Sequence, residues 1–442
     1  MFHHHEKKVK VPFSKPLKDL TAITPPFQVL SEGKRQELLK SMMDNSDLET
    51  PRFEALCTGL IHNFINHCQY LPETSTSYYA ESGGLLDHAL HRTEAALTLF
   101  RQFVLQKERE ALSEEQKLWL YALFSASILQ GIGKLQTDFQ VDLFDINGQV
   151  VKRWGPLLES MISVGGYYHF EFLVEGGIEL RRRLTLLMAR LLMPTAGYAW
   201  IISNPEVLAV WLALLSDDAR GAGTLGALLI RADAIAIQRY LTDFLNKHAG
   251  NREGRQGRLS TFVDKVPDSL ADKEKMMGAE FIKWLMNQLE SGKIMVNKAP
   301  LLMVPGGLLM CAEMFQLFIR HHPEYKNWQL IQKGFLSLGL HRMDAEGTAM
   351  ARFEQTRTHE MLHGVLVRDF AVMLPEQMTF HQMHTGEQAS MSAVELVHLS
   401  QCENHDFQRV DQPLPKNALQ QLSSTGAWQM VEAPKSGHKH SG

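Results

Sequence analysis

Along the first half of the chain, apolar residues recur three and four positions apart, the spacing that lines up one face of a helix. "GKRQELLKSMMDN" and "TPRFEALCTGLIHNFINHCQYLP" follow this pattern, and Pro72 is the expected stop of the second. "GGLLDHALHRTEAALTLFRQFVLQ" starts at the Gly83-Gly84 break. "SEEQKLWLYALFSASILQGIGK" opens on Ser113 and acidic residues, which suit a helix start because they accept orphan N–H groups and face the positive end of the dipole. Period-two alternation is scarce between residues 35 and 246, so this half is expected to be all-helical. The apolar stretch 184–215 is broken by Arg190, Pro194 and Asn204-Pro205-Glu206. That reads as buried helices rather than a membrane span, and no membrane partner is expected.

The pattern changes after a polar, charged linker at 247–269. "ADKEKMMGAEFIKWLMNQLESGKI" predicts a helix, "MVNKAPLLMVPGGLLMC" two short strands about Pro305-Gly306-Gly307, and "AEMFQLFIRHH" a further helix. "YKNWQLIQKGFLSLGLHRM" adds one more helix. The expected fold is mainly α: a helical bundle followed by a small α+β, winged-helix-like C-terminal domain. In residues, this is an N-terminal extension (1–34), a helical domain (35–246), the linker (247–269), the winged-helix-like unit (270–345) and an irregular C-terminal region with a mobile tail (346–442).

Composition narrows this picture only modestly. A chain of 442 residues with 45% hydrophobic and 21% charged residues has the make-up of an ordinary globular protein of two or three domains. Forty-five basic residues against forty-nine acidic give a net charge of −4, so any nucleic-acid surface has to be local. The four cysteines, Cys57, Cys68, Cys311 and Cys402, form no pair or cluster, which argues against a disulfide framework or zinc ribbon and suits a reducing cytoplasm. "MFHHHEKKVKVPF" lacks the apolar core of a secretory signal, and its His3–His5 run has the composition of an adventitious chelator.

Candidate chemistry is sparse. His88 and His91 lie three apart on one predicted helix and share a face, a geometry compatible with a two-nitrogen metal contact. No GxxxxGK[ST] phosphate loop occurs. Arg181, Arg182 and Arg183 are adjacent and therefore fan around a helix. Arg320, Lys326 and Lys333, interleaved with Tyr325 and Trp328, form a candidate nucleic-acid face.

Taken together, the His88 helix, the apolar helix ending in "LQGIGK" and the distant Asp233 in "LIRADAIAIQRYL" resemble the HD phosphohydrolase superfamily in order and context. There, a lone His, a His-Asp pair and a terminal Asp converge on one or two metal ions that activate water against a phosphoester. The resemblance is closest to the MobH-type conjugative relaxases and spans most of the chain. Its collinear segments include "RFEALCTGLIHNFINHCQYLP", "SGGLLDHAL", "ILQGIGKL", "LLMPTAGYAWIISNPEVLAVWLALLS", "GTLGALLIRADAIAIQRYL" and "LESGKIMVNKAPLLMVPGGLLMC".

The resemblance implies an HD-like bundle and a site that has lost its centre. His88 matches the first His ligand and Asp233 the last Asp, while Gln130 and Gly131 stand where the His-Asp pair belongs. Tyr78-Tyr79 replaces histidines that precede the family's glycine pair, and His169 is a weaker candidate ligand. Glycine has no donor atom and an amide is a poor substitute for imidazole, so the bridged two-metal centre is expected to be gone. The leading expectation is therefore a relaxase-like protein of plasmid or mobile-element DNA processing that binds DNA or the other DNA-processing proteins, with a degenerate site. Two alternatives stand beside it. One is an active metal-dependent phosphohydrolase or nuclease, its divalent ion held by His88, Asp233 and some of His91, His169, Asp87, Asp138, Asp142 or Asp145. The other is a protein-protein interaction scaffold.

Overall fold

The computed structural model describes residues 14–104, 111–173, 177–253, 270–343, 348–401 and 406–410. The His3–His5 run, Cys402, most of the 247–269 linker and the C-terminal tail lie outside the described residues. Most of the expected helices are present, because each carries both an apolar stripe and a local start signal. Arg35–Ser46, Gly59–Cys68, Gly84–Val104 and Glu114–Leu129 form the first part of the bundle. Ser113 caps the last of these in a reciprocal box with Gln116, as its sequence position implies. The helix before Pro72 stops earlier than expected, at Cys68, because Gln69 turns out of it at φ +44.

The apolar stretch 184–215 is cut into Ile178–Leu192, Thr195–Ile202 and Pro205–Leu215, with a sharp 118° bend at the first break. Asn204 caps the third helix and Pro205 occupies its first turn. Among the described residues one helical stretch, Glu114–Thr137, is long and apolar enough to cross a membrane, and 83% of its apolar window is buried inside the fold. It is the central core helix, packed between Phe53, Trp200 and Trp211.

The expectation of an all-helical half over residues 35–246 is corrected by three strands, which a fourth from the N-terminal extension joins. β1 (Thr21–Ala22), β2 (Phe139–Phe144), β3 (Val150–Arg153) and β4 (Tyr167–Phe172) form an antiparallel sheet in the order β1-β4-β2-β3. In "FQVDLF" the odd positions Phe139, Val141 and Leu143 are buried while Gln140 and Asp142 are half-exposed, the period-two signature of a one-sided strand. The signal spans only six residues, too few to stand out beside long helical periods.

A helix of 35 residues, Ala219–Glu253, kinks at Gly223 and then forms a wall common to two cores. Leu228, Leu229 and Ala232 join the N-terminal core of Leu86, Leu90, Phe124 and Trp211. Ala234, Ile237 and Leu241 join a second core with Phe281, Phe315 and Phe335. This second core is built on helices Leu270–Glu290, Ala312–His321 and Trp328–Ser337.

The expected hairpin is present as β5 (Leu301–Val304) and β6 (Gly307–Met310), with Gly307 at φ +149 where a Cβ would sit 2.1 Å from the Val367 carbonyl. It is not a free-standing wing. β6 also pairs with β8 (Met361–Val367), β8 with β7 (Met350–Gln355), and β7 with β11 (Phe407–Arg409), giving one antiparallel sheet ordered β11-β7-β8-β6-β5. A second hairpin, β9 (Gln377–His381) with β10 (Gln388–Ser392), leads into helix Ala393–Ser400. The described part of 346–442 is therefore ordered structure, not the irregular region expected, because its strands complete a sheet begun by residues 301–310.

Candidate functional site

His88 lies on the buried face of helix Gly84–Val104. The helix can start where it does because Gly84 carries no side chain: a Cβ there would lie 2.0 Å from the Tyr79 carbonyl oxygen. This close approach brings the 71–83 loop across the His88 ring. Tyr79 stacks on it with centroids 4.8 Å apart, and Tyr78 meets it edge-on at 5.7 Å.

The two distant sequence candidates do converge. His88 Nε2 is 3.1 Å from Asp233 Oδ1, and on the other edge of the ring Nδ1 is 3.6 Å from Glu73 Oε2. Nδ1 is too far from Glu73 for a full hydrogen bond, and Nε2 is not well aligned with Asp233. Burial disfavours a charged imidazole, but Asp233 and Glu73 outweigh it and raise the His88 pKa above its ordinary value. Burial likewise opposes both carboxylates. Lys134 and His88 nevertheless hold Glu73 down to about 2, and His88 with Arg92 holds Asp233 far below the usual carboxylate range.

Two cations complete the cluster. Arg92 Nη1 donates to Asp233 Oδ1 at 3.0 Å, while its Nε donates to the Ser127 carbonyl at 2.9 Å and Nη2 reaches the Gln130 carbonyl at 3.5 Å. Lys134 pairs with the Glu73 carboxylate and donates to the Glu73 carbonyl at 2.8 Å. Arg92 and Lys134 are both buried.

Gln130 and Gly131 sit at the edge of this cluster. Helix Glu114–Leu129 ends one residue before it, and Gly131 turns the chain at φ +71, a left-handed conformation that glycine adopts freely. Gln130 Nε2 faces Asp217 Oδ1 at 3.5 Å, with Arg182 on the other carboxylate oxygen at 3.3 Å. Two residues on, Gly133 packs against helix Ile178–Leu192, where a Cβ would fall 2.2 Å from the Arg181 carbonyl, and Thr185 accepts its N–H. The turn thus delivers Lys134 to Glu73.

The other candidate ligands are engaged elsewhere. His91 Nδ1 is 2.8 Å from the Tyr79 hydroxyl, which donates to the Ala236 carbonyl and so accepts from the imidazole. His169 stands opposite Asp142 in the β2–β4 ladder. Asp87 takes the Arg35 fork at 2.8 and 3.2 Å, Asp138 pairs with Arg181, Asp142 faces Arg153, and Asp145 accepts the N–H groups of Asn147 and Gln149 in a turn. Among the described residues no three His, Cys, Asp or Glu side chains are arranged to hold a metal ion. The residues present do not fit the metal centre that the HD resemblance implies. His88 and Asp233 are one donor short of a catalytic zinc site, and a permanent guanidinium already occupies the Asp233 oxygen.

The basic candidates are likewise distributed. Arg181, Arg182 and Arg183 are paired with Asp138, Asp217 and Glu179. Arg320, Lys326 and Lys333 are all exposed, and Lys333 pairs with Glu274. Tyr325 donates to Glu280 and packs on Phe318, and Trp328 is half-buried against the second core.

Reading the chain alone misses Glu73, Arg92 and the role of Lys134. Arg92 carried a signal: it falls between Ala89 and Ala96 on the apolar stripe of its helix, where an arginine requires buried partners. Glu73 carried none, because it lies in an irregular loop.

The C-terminal unit closes over this region. Ser77 donates to the Leu338 carbonyl at 2.5 Å, and buried Arg231 donates to the carbonyls of Ala371 and Leu374. Gln238, two turns further along, donates to Val372 and Leu374. Half-buried Asp369, with Arg368 against it, has its pKa raised by desolvation and by the proximity of Asp233 and Asp217, although Arg368 opposes the shift.

Comparison with known proteins adds the family. No curated protein matches the chain. Residues 276–385 match the family described as "Putative conjugal transfer nickase/helicase TraI C-term", and residues 20–286 match its companion, described as "Putative helicase". Since the second match alone covers more than half of the 442 residues, the protein belongs to the TraI-like family of conjugal transfer nickase/helicase and relaxase proteins.

Proposed function

We propose that this protein serves conjugal DNA processing by binding, as a relaxase-like chain whose HD-like site has lost metal-dependent phosphodiester hydrolysis. The observation that carries the reading is the closed ion cluster: the two residues matched to metal ligands, His88 and Asp233, are partnered by Glu73 and Arg92, next to a turn that offers Gln130 and glycine in place of donors. Family membership supplies the process. The exposed Arg320 and Lys326, at the end of one C-terminal helix and the start of the next, are the proposed phosphate contacts of a winged-helix-like unit whose hairpin is built into a larger sheet. Metal analysis of the purified protein and nicking of supercoiled plasmid with manganese test the reading. No stoichiometric metal, no nicking and salt-weakened DNA binding are expected. Stoichiometric metal together with nicking that His88→Ala abolishes would overturn it.

A second reading, docking of a protein partner, draws on an apolar stripe left open on helix Ile178–Leu192. Leu180, Leu187 and Leu191 share one face of that helix and are 53%, 60% and 47% exposed. Association with a DNA-processing protein that persists at high salt favours this reading over direct phosphate contact.

A further inference from the structure

We infer that the Arg92 guanidinium is a built-in replacement for a metal ion: it ties three converging segments together and lets this site keep its shape without binding a cation. The inference rests on the reading of the site as catalytically silent and deepens it.

A metal ion at such a site joins helices remote in sequence through several acceptor atoms. Arg92 does the same from within the fold. From helix Gly84–Val104 it reaches the Asp233 carboxylate, 141 residues away, on helix Ala219–Glu253, and the Ser127 and Gln130 carbonyls at the end of helix Glu114–Leu129. Carbonyls in the last turn of a helix lack intrahelical donors and carry the negative end of the dipole, so a cation is stabilised there. Guanidinium supplies a planar array of donors suited to several acceptors at once. The Gln130-Gly131 sequence belongs to the same arrangement. Gln130 leaves the helix at ψ 126 and Gly131 turns at φ +71, so the chain exits where the guanidinium meets the open carbonyls. A ligand pair and an ion have been exchanged for a glycine turn and an arginine. On the other side of His88, Lys134 performs the equivalent service for Glu73.

The test uses the full chain. Metal content is measured on protein purified without chelator, and the melting temperature is followed with EDTA and with manganese chloride for wild type, Arg92→Met and Arg92→Lys. Wild type is expected to hold no stoichiometric metal and to melt at the same temperature in EDTA, in manganese and in neither. Arg92→Met, which keeps the length but not the charge, is expected to melt roughly 10 °C lower, since it buries no cation among the Ser127 and Gln130 carbonyls and leaves the half-buried Asp233 carboxylate short of a partner. Arg92→Lys, with one compact cation, is expected to fall between the two. Wild type that loses stability in EDTA, or Arg92→Met that melts with wild type, would overturn the inference. Should Arg92→Met fail to fold, folding of Arg92→Lys supports the inference and the chelator response of wild type still decides it. Nicking by wild type refutes the silent-site reading, whereas a silent protein indifferent to Arg92→Met refutes only the role of the guanidinium.

Discussion

Replacing Asp233 by alanine takes from His88 and Arg92 the carboxylate they share. Asp233 Oδ1 lies 3.1 Å from His88 Nε2 and 3.0 Å from Arg92 Nη1, so one oxygen serves both. At about 3 Å and an effective dielectric constant of about 20, each unit-charge pair attracts by about 5 kcal/mol. Most of that offsets the desolvation of the groups, and removing one member of a buried pair typically costs about 3–5 kcal/mol. The Asp233 side chain retains 30% exposure, which lets water screen the remaining charges and places the expected loss near the lower end, about 3 kcal/mol. For a cooperative unit of roughly 200 residues this corresponds to a melting temperature about 6–12 °C lower. Asp233→Asn, which keeps the shape and one acceptor for Arg92, is expected to lose about half as much. Thermal unfolding followed by circular dichroism, with and without EDTA, measures both. An Asp233→Ala protein within about 2 °C of wild type would refute the charge-cluster reasoning. So would a wild type that EDTA brings down to the Asp233→Ala value, since Asp233 would then be acting through a metal.

Four further outcomes follow from named contacts. His88 is raised above 6.5 by its two carboxylates, so its stabilisation is complete below the unfolded value near 6.5 and is lost as pH rises through the folded value. His62, His67, His91, His341 and His363 are lowered by burial and act in the opposite direction. The prediction is therefore a difference: between about pH 6 and pH 8, wild type gives up more melting temperature than His88→Gln, and parallel curves would exclude the charged imidazole. Glu73 and Asp233 have lowered pKa values, so their stabilisation is present above the ordinary carboxylate range and is lost as pH falls through the folded values, toward about 2 for Glu73. Gly84→Ala, whose Cβ would meet the Tyr79 carbonyl at 2.0 Å, is expected to cost at least about 2 kcal/mol in denaturant unfolding; a neutral substitution would mean that the 71–83 loop can move off the His88 helix. If Arg320 and Lys326 both touch phosphates, changing both to alanine lowers the slope of log affinity against log salt by about 2 for duplex DNA, and an unchanged slope removes this face from the interface.

How much could be read from the chain depended on whether a signal was local. Ser113, with glutamine three residues on, set a helix start that no tertiary contact had to supply. The Pro305-Gly306-Gly307 turn likewise marked its hairpin. His88, Gln130 and Asp233 could be assembled into one site through resemblance, and the fold does bring them close to one another, but whether they hold a metal was not a local property. The strand "FQVDLF" had its alternation and was still hidden, because six residues of period two weigh little between long helices.

The sequence by itself determined the positions of most helices, the Gln130-Gly131 dipeptide at the end of one of them and the absence of a phosphate-loop motif, since each depends on residues near one another in the chain. Tertiary structure alone decided that the strands Met350–Gln355, Met361–Val367 and Phe407–Arg409 complete the sheet begun at 301–310, that a single long helix serves two cores, and that Glu73, Arg92 and Lys134 surround His88 and Asp233. The reason is range. Helical periodicity and capping act over three or four residues, whereas sheet register and the pairing of buried charges are settled by whichever distant groups the packed chain brings within about 3 Å.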